Sequence, residues 1–273
     1  MSKQNSGLIN RLLASLDDAE LVSSRWLRAH GYSSSLVARY VASGWLESPA
    51  RGVYMRKGGR LQWEGVVRTL QFGERLSLHV GGRFALAWQG YEHYLRLGEA
   101  ATVTLYGPDR LPGWVPKLPL SEHFEAYRKK IFDFPVIRFS PEMSENLLLD
   151  QGLGWSKASS SVESVVCAMP ERAMLELCDG PPEASLVYEA DALMQGMTTL
   201  RPQRVGRLLR HCRSIKAKRL FLALAERHRH AWLSHVQMDD VDLGSGKRSL
   251  VPGGQLHPTY QITLPGDLDE HLG

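Results

Sequence analysis

Cysteine is scarce in this chain: Cys167, Cys178 and Cys212 are the only three, with no C-x-x-C spacing among them. That excludes a disulfide-stapled scaffold and a cysteine-rich zinc module, and it suits free thiols in a reducing compartment. No apolar run approaches the ~18 residues that a membrane span needs. The first six residues are polar and carry no apolar signal core, so a cytoplasmic protein without membrane contact is expected. Catalytic signatures are missing as well. There is no H-E-x-x-H and no G-x-S-x-G. Gly244-Ser245-Gly246-Lys247-Arg248 ends like a phosphate-binding loop. However, Val241 stands where the first glycine belongs, and Arg248 where a hydroxyl must reach magnesium. His228, His230 and His235 have no paired cysteine or carboxylate at metal-site spacing. No catalytic residue, metal or cofactor is therefore expected. The alternative is a nucleic-acid-processing enzyme with Asp240 and Asp242 as metal ligands. Gly244-Ser245 come after that acidic pair, whereas a nucleotidyltransferase has Gly-Ser before it.

What is present is an ordinary globular composition, 273 residues with 43% hydrophobic and 23% charged. The net charge of +4 is spread unevenly. Residues 1–70 carry a net of +5 and residues 201–230 a net of +9, against −6 for residues 71–200 and −4 for the remainder. Two basic blocks in a near-neutral chain suggest polyanion contacts, because local potential attracts phosphate. Solvated helix surfaces would give the same counts.

The first basic block has a recognisable order of elements. Leu8, Ile9, Leu12, Leu13 and Leu16 predict a helix from Gly7 to Leu16. Ser23 or Ser24 can cap a second helix through Trp26, Leu27 and His30, ended at Gly31. Ser33 or Ser34 can cap a third, with Leu36, Val37, Tyr40 and Val41 as its apolar stripe and Gly44 as its stop. Trp45-Leu46-Glu47 and Val53-Tyr54-Met55, around Pro49 and Gly52, read as a hairpin. Helix, helix, turn, helix and hairpin, with a motif core at about residues 7–58, are the parts of a winged helix-turn-helix. In that arrangement the second helix of the pair lies in the major groove. Ser34, Ser35, Ala38, Arg39, Ala42 and Ser43 then face outward. Arg39 suits bidentate contact with guanine, and Ser34, Ser35 and Ser43 suit bases or phosphates. Arg51, Arg56, Lys57 and Arg60 cluster on and after the hairpin, where a wing meets DNA. The unit closes within about fifty residues, so its core is expected to be independent of the rest of the chain.

The remaining residues read as a larger mixed α/β domain, with the division placed at 1–95 and 96–273 and the whole chain classed α+β. Strands are expected at Leu76–Val80, Thr102–Tyr106, Pro135–Phe139 and Tyr260–Leu264, and helices at Phe84–Leu97, Pro170–Cys178, Ser185–Gly196, Pro202–Ser214 and Ala217–Ala231. Gly107–Pro119 and the Gly/Ser-rich Gln151–Ser161 read as loops. On the helix from Pro202, the stripe Val205, Leu208, Leu209 and Cys212 leaves Arg204, Arg207, Arg210, His211 and Arg213 as a solvent-facing basic arc. That arc could meet DNA phosphates, an acidic or RNA-bound partner, or only water.

The run from Val22 to Met55, with Gly31-Tyr32-Ser33, Gly44-Trp45-Leu46 and Arg51-Gly52-Val53-Tyr54, resembles the N-terminal domain of AbiEi-family antitoxins of type IV toxin–antitoxin systems. Pro170-Glu171-Arg172-Ala173-Met174-Leu175-Glu176-Leu177 resembles a helix of that family. Lys218 to Ala223 with Trp232, Asp242 to Arg248, and Pro258 to Ile262 resemble its later blocks. The match covers most of the chain, least so between residues 98 and 160. The resemblance implies a winged-helix repressor of its own operon at inverted repeats. It also implies an antitoxin that neutralises a cognate nucleotidyltransferase-like toxin, with no stable complex assumed.

Overall fold

A computed structural model describes residues 3–16, 18–91, 101–156 and 164–268. The N-terminal part runs α1 (Lys3–Ala14), β1 (Val22–Ser23), α2 (Ser24–Ala29), α3 (Ser34–Ala42), β2 (Leu46–Ala50) and β3 (Val53–Arg56). The three strands form an antiparallel sheet in the order β1-β3-β2. This is the expected winged helix. Serine caps set both helix starts: the Trp26 amide donates to Ser23 Oγ at 3.0 Å, and the Leu36 amide to Ser33 Oγ at 3.3 Å. Gly31 between the helices has φ +85° and Gly52 in the hairpin turn φ +86°, conformations that glycine adopts without strain. Pro49 lies on β2, the edge strand, where a missing amide does least harm.

The second part is built on a five-stranded mixed sheet in the order β6-β5-β4-β8-β7. Its strands are β4 (His79–Val80), β5 (Thr102–Tyr106), β6 (His123–Tyr127), β7 (Leu153–Ser156) and β8 (Val165–Ala168). The helices of this part are α4 (Trp63–Arg68), α5 (Gly82–Trp88), α6 (Glu145–Leu149), α7 (Pro170–Cys178), α8 (Ala184–Gln195), α9 (Pro202–His211) and α10 (Ile215–Arg227). A small antiparallel pair, β9 (Gln255–Leu256) and β10 (Thr263–Leu264), closes the fold. Helix α10 is buried from Ala217 to Ala225; the apolar run Leu220–Leu224 reads as core in the sequence, whereas the burial of Lys218 and Arg219 does not. All three cysteines are buried free thiols, and burial raises the Cys212 thiol to about 11.

Several expectations are corrected. Of Leu76–Val80 only His79–Val80 is strand, because the Leu76 amide turns back to Leu70 O and the Ser77 amide is taken by Asp109. Pro135–Phe139 forms no strand; Phe139 is buried on irregular backbone, and Pro135 O accepts from Gln151 Nε2. At the start of the Gly/Ser-rich stretch, Leu153–Ser156 is a strand, where Gly154 admits the Met169 sulfur. The predicted helix Phe84–Leu97 begins two residues earlier and ends at Trp88; its last six residues lie outside the described ones. Of Tyr260–Leu264 only the last two residues are strand, since Gln261 takes φ +50°.

The winged helix has a core cluster of its own, as expected, but one face of its sheet is shared with the second part. One cluster, Ile9, Leu12, Leu27, Leu36, Val37 and Tyr40 among others, lies within it. The opposite face of its sheet, with Ala50, Val53 and Met55, belongs to the large core of the second part. The alternation along β3 places Tyr54 in the first core and its neighbours in the second. Glu20 pairs with Arg68, and the Leu21 amide donates to Thr69 Oγ1 at 3.0 Å. Gly65 on α4 approaches so closely that a Cβ there would lie 2.0 Å from Ala19 O. The expected division at 95/96 falls in a stretch outside the described residues. Residues 63–88, on its N-terminal side, supply a helix pair and the central strand of the second sheet.

Candidate nucleic-acid interface

Helix α3 turns Leu36, Val37 and Tyr40 into the core and leaves Ser34, Ser35, Ala38, Arg39, Ala42 and Ser43 exposed. Every side chain of that face except Arg39 is small, so the helix can approach a groove closely. Among the described residues, none hydrogen-bonds or ion-pairs with the Arg39 guanidinium. The charge is therefore free to meet a ligand without giving up an internal bond.

The hairpin between β2 and β3 carries exposed Arg51 at its tip. Ser48 Oγ stiffens this wing by donating to Ala50 O at 2.8 Å or Val53 O at 2.9 Å. Lys57 and Arg60 are exposed beyond β3, and the Lys57 amide donates to Trp45 O at 3.2 Å. Arg56 differs from these: it is half-buried and pairs with Asp18 at 3.2 Å. Its contribution to an interface comes at the expense of that pair. On α2, Trp26 stacks on His30 with ring centroids 3.7 Å apart, and Arg25 pairs with Glu74.

The second basic arc is interrupted. Arg207, Arg210 and Arg213 are exposed, with Arg207 lying 3.5 Å from Asp150 and Arg213 just past the end of α9. His211 is half-exposed, with Nδ1 2.7 Å from Asp133 Oδ1. Arg204 does not belong to the arc. It points inward, its side chain 10% exposed, and holds Glu171 at 3.1 Å. Glu171 in turn accepts the Arg201 amide at 3.0 Å. The helical wheel placed Arg204 off the apolar stripe, which is correct. The wheel could not reveal a buried carboxylate across from it.

Three polar centres were not foreseen from the sequence. Glu176 on α7 is buried, accepting from Arg172 Nε and contacting His79 Nε2, both at 2.8 Å. Burial pushes the Glu176 carboxyl up, but His79 and Arg172 outweigh it and hold it below the usual range. Burial lowers His79, and Glu176 opposes that shift. Arg219 is buried and donates to four carbonyls, those of Leu243 (2.7 Å), Gly246 (2.6 Å), Gly244 (3.0 Å) and Gln261 (3.1 Å). The loop resembling a phosphate cradle is thus folded around an internal guanidinium, with its carbonyls turned inward. Asp191 gathers Arg227 at 3.2 Å and His228 at 2.8 Å. The sequence signal in each case was a charge on an otherwise apolar helix face. Asp240 and Asp242 sit on an exposed turn, where Asp242 accepts the Gly244 amide at 2.7 Å. Among the described residues no three potential ligands converge as a metal site, and no helix is long and apolar enough to cross a membrane.

Two family models match. Residues 5–97 match the N-terminal domain of the AbiEi antitoxin transcriptional regulators, and residues 100–265 match the AbiEi antitoxin transcriptional regulator of type IV toxin–antitoxin systems. No curated protein matches at a significant level. Among solved structures, the crystal structure of the RV2827C protein from Mycobacterium tuberculosis is similar at a TM-score of 0.51 and 16% identity. The similarity covers 99% of this chain and 94% of that one. At that identity the likeness speaks for a shared fold.

Proposed function

The chain belongs to the AbiEi family of transcriptional-regulator antitoxins of type IV toxin–antitoxin systems, and we propose that it represses its own operon and neutralises a cognate nucleotidyltransferase-like toxin. In this reading α3 enters the major groove at inverted repeats, with Arg39 on a base edge and Ser34, Ser35 and Ser43 on bases or phosphates. Arg51, Lys57 and Arg60 meet the backbone, and Arg56 joins them if it leaves Asp18. The observation that carries the reading is the outer face of α3: small side chains around one guanidinium with no partner among the described residues. A gel shift on the DNA upstream of the gene tests the first role. Specific retardation is expected, and equal affinity for unrelated DNA overturns it.

For the second role, the exposed arginines Arg207 and Arg210, with Arg213 and His211, offer a surface for the toxin or the nucleic acid it acts on. A growth rescue beside the cognate toxin, expressed from a foreign promoter, tests it. Charge reversal at Arg207 and Arg210 together is expected to impair rescue at normal soluble protein levels. Full rescue would remove this surface from the antitoxic role. The reading also places a nucleotidyltransferase-like gene directly downstream.

A further inference from the structure

Away from α3 and the wing, the second part holds a cleft of about 560 Å³ that opens at the end of β6. Lys129, Arg213, Lys216 and Arg248 reach it from three separate segments, Arg213 and Lys216 sharing the junction between α9 and α10. Backbone pairing brings them together. The Arg213 amide donates to Ile131 O at 2.8 Å, which ties the end of α9 to the segment after Lys129. Arg248 is fixed against β10 by its amide to Gln261 O and by the Thr263 amide to its own carbonyl, both at 2.9 Å. Two carboxylates lie in the wall, and both are occupied. Asp179 takes Lys129 and Ser214 Oγ, and Glu176 is held by Arg172 and His79. Among the described residues, Arg213 and Arg248 have no carboxylate partner, while Lys216 donates to Gly180 O and feels the charge of Asp179, so the opening keeps an excess of positive charge. Such a cleft concentrates polyanions.

The cleft adjoins a smaller chamber of about 140 Å³ and shares Tyr106, Lys129, Ile131 and Glu176 with it. Its walls are largely apolar and aromatic, with Phe132, Phe134, Phe139 and Leu153 around it. One wall carries Ser77, which is 5% exposed. The Ser77 hydroxyl is buried with no hydrogen-bond partner among the described residues. A buried hydroxyl left unpaired is costly and uncommon in a folded protein. Ser77 is also one of the residues lining a cavity of the dimensions of a single heteroaromatic ring system, with its hydroxyl beneath the surface of the wall until the side chain turns. Tyr106 and Tyr127 stack at the junction, with ring centroids 5.1 Å apart and planes 15° from parallel.

We propose that this chamber and cleft form a nucleotide site, with the base among the phenylalanines and hydrogen-bonded to Ser77 Oγ, and the phosphates among Lys129, Arg213, Lys216 and Arg248. An apolar pocket with few placed polar groups suits the base, and clustered cations suit the phosphates. The half-buried ammonium of Lys216 has a pKa lowered by burial, an environment that a phosphate oxygen would relieve. The nucleotide could come free, as a nucleoside triphosphate, or as the end of a single-stranded RNA.

Calorimetric titration of the full chain with ATP, GTP, CTP and UTP tests the site, alongside inorganic tripolyphosphate and an eight-nucleotide RNA bearing a terminal phosphate. Saturable binding of a nucleoside triphosphate or of the RNA end is expected, and whichever competes out the other identifies the source. Arg213→Glu with Arg248→Glu should weaken nucleotide and tripolyphosphate together by at least about tenfold. Ser77→Ala should weaken the nucleotide several-fold, leave tripolyphosphate unchanged and raise the melting temperature of the free protein, because it removes an unpaired buried hydroxyl. No saturable binding by folded wild type overturns the site. So does nucleotide binding indifferent to both variants, or tripolyphosphate binding as tightly as the nucleotide. A fall in melting temperature for Ser77→Ala would contradict the assignment of Ser77 as the waiting hydroxyl.

Discussion

The two basic regions of the chain use their charge in opposite ways. The N-terminal region has the smaller excess, yet Arg39, Arg51, Lys57 and Arg60 are exposed with no internal partner among the described residues. The region from 201 to 230 has the larger excess, and much of it is consumed within the fold. Arg204 holds Glu171, Arg219 gathers four carbonyls, and Arg227 shares Asp191 with His228. Net charge along a sequence therefore overstates the available field wherever helices pack against buried carboxylates. What a ligand meets is the charge left over after internal pairing, and that share is smaller in the 201–230 region than its net charge suggests.

The largest expected difference between the regions is in stability. Arg204→Glu would put a second carboxylate beside buried Glu171, and breaking a buried pair costs about 3–5 kcal/mol. Arg210→Glu, six residues along the same helix and exposed, should stay within about 0.5 kcal/mol of wild type. Urea midpoints of the two variants measure the contrast, and equal midpoints would erase it.

A second test uses pH. Burial holds His79 below its usual 6.5. Below that pH the unfolded chain binds a proton that the folded chain resists, so stability falls as pH drops. For one proton the slope is at most about 1.4 kcal/mol per pH unit. Glu176, held low, adds a further loss only at more acidic pH, as it takes up its own proton. Urea midpoints at pH 7.5 and 5.5 should diverge for wild type and converge for His79→Gln. An unchanged pH dependence in the variant would assign the effect to other groups.

The wing supplies a smaller effect. Arg51→Ala should weaken operator and unrelated DNA about equally and flatten the dependence of log K on log salt by about 0.9, the share of one phosphate contact. Titrations at three salt concentrations read this directly. Loss confined to the operator would move Arg51 from backbone to base.

Local signals in the sequence were sufficient for the winged helix. Ser23 and Ser33 as caps, Gly31 and Gly52 as turns, and the stripe on α3 act within a few residues of where they stand, and the observed elements match them. The exposed face of α3 was legible for the same reason. The second part depends on distant partners. Strand β4 is two residues long and is held to β8 by Gln71, whose side chain bonds Leu78 O and Val166 O at 2.9 Å and accepts the Val166 amide at 2.9 Å. No periodicity announces that arrangement. Strand β7 was hidden by Gly154 within it and Gly152 before it, and Arg204 looked like surface because Glu171 is thirty-three residues away. The expected core of the winged helix is present, but its packing against the second part was not legible, for the same reason. Val53 and Met55 were legible as a hairpin strand, but nothing near them in the sequence shows that the large core covers them.

If the outer face of α3 reads operator DNA through Arg39, the Arg39→Ala variant should lose that reading and nothing else. Affinity for the upstream DNA and for unrelated DNA of equal length should be measured at one salt concentration, beside the urea midpoint. A loss of about 1–3 kcal/mol on the operator is expected, with little change on unrelated DNA and an unchanged midpoint, because Arg39 bonds none of the described residues. Operator affinity equal to wild type, with the fold intact, would refute the role of Arg39.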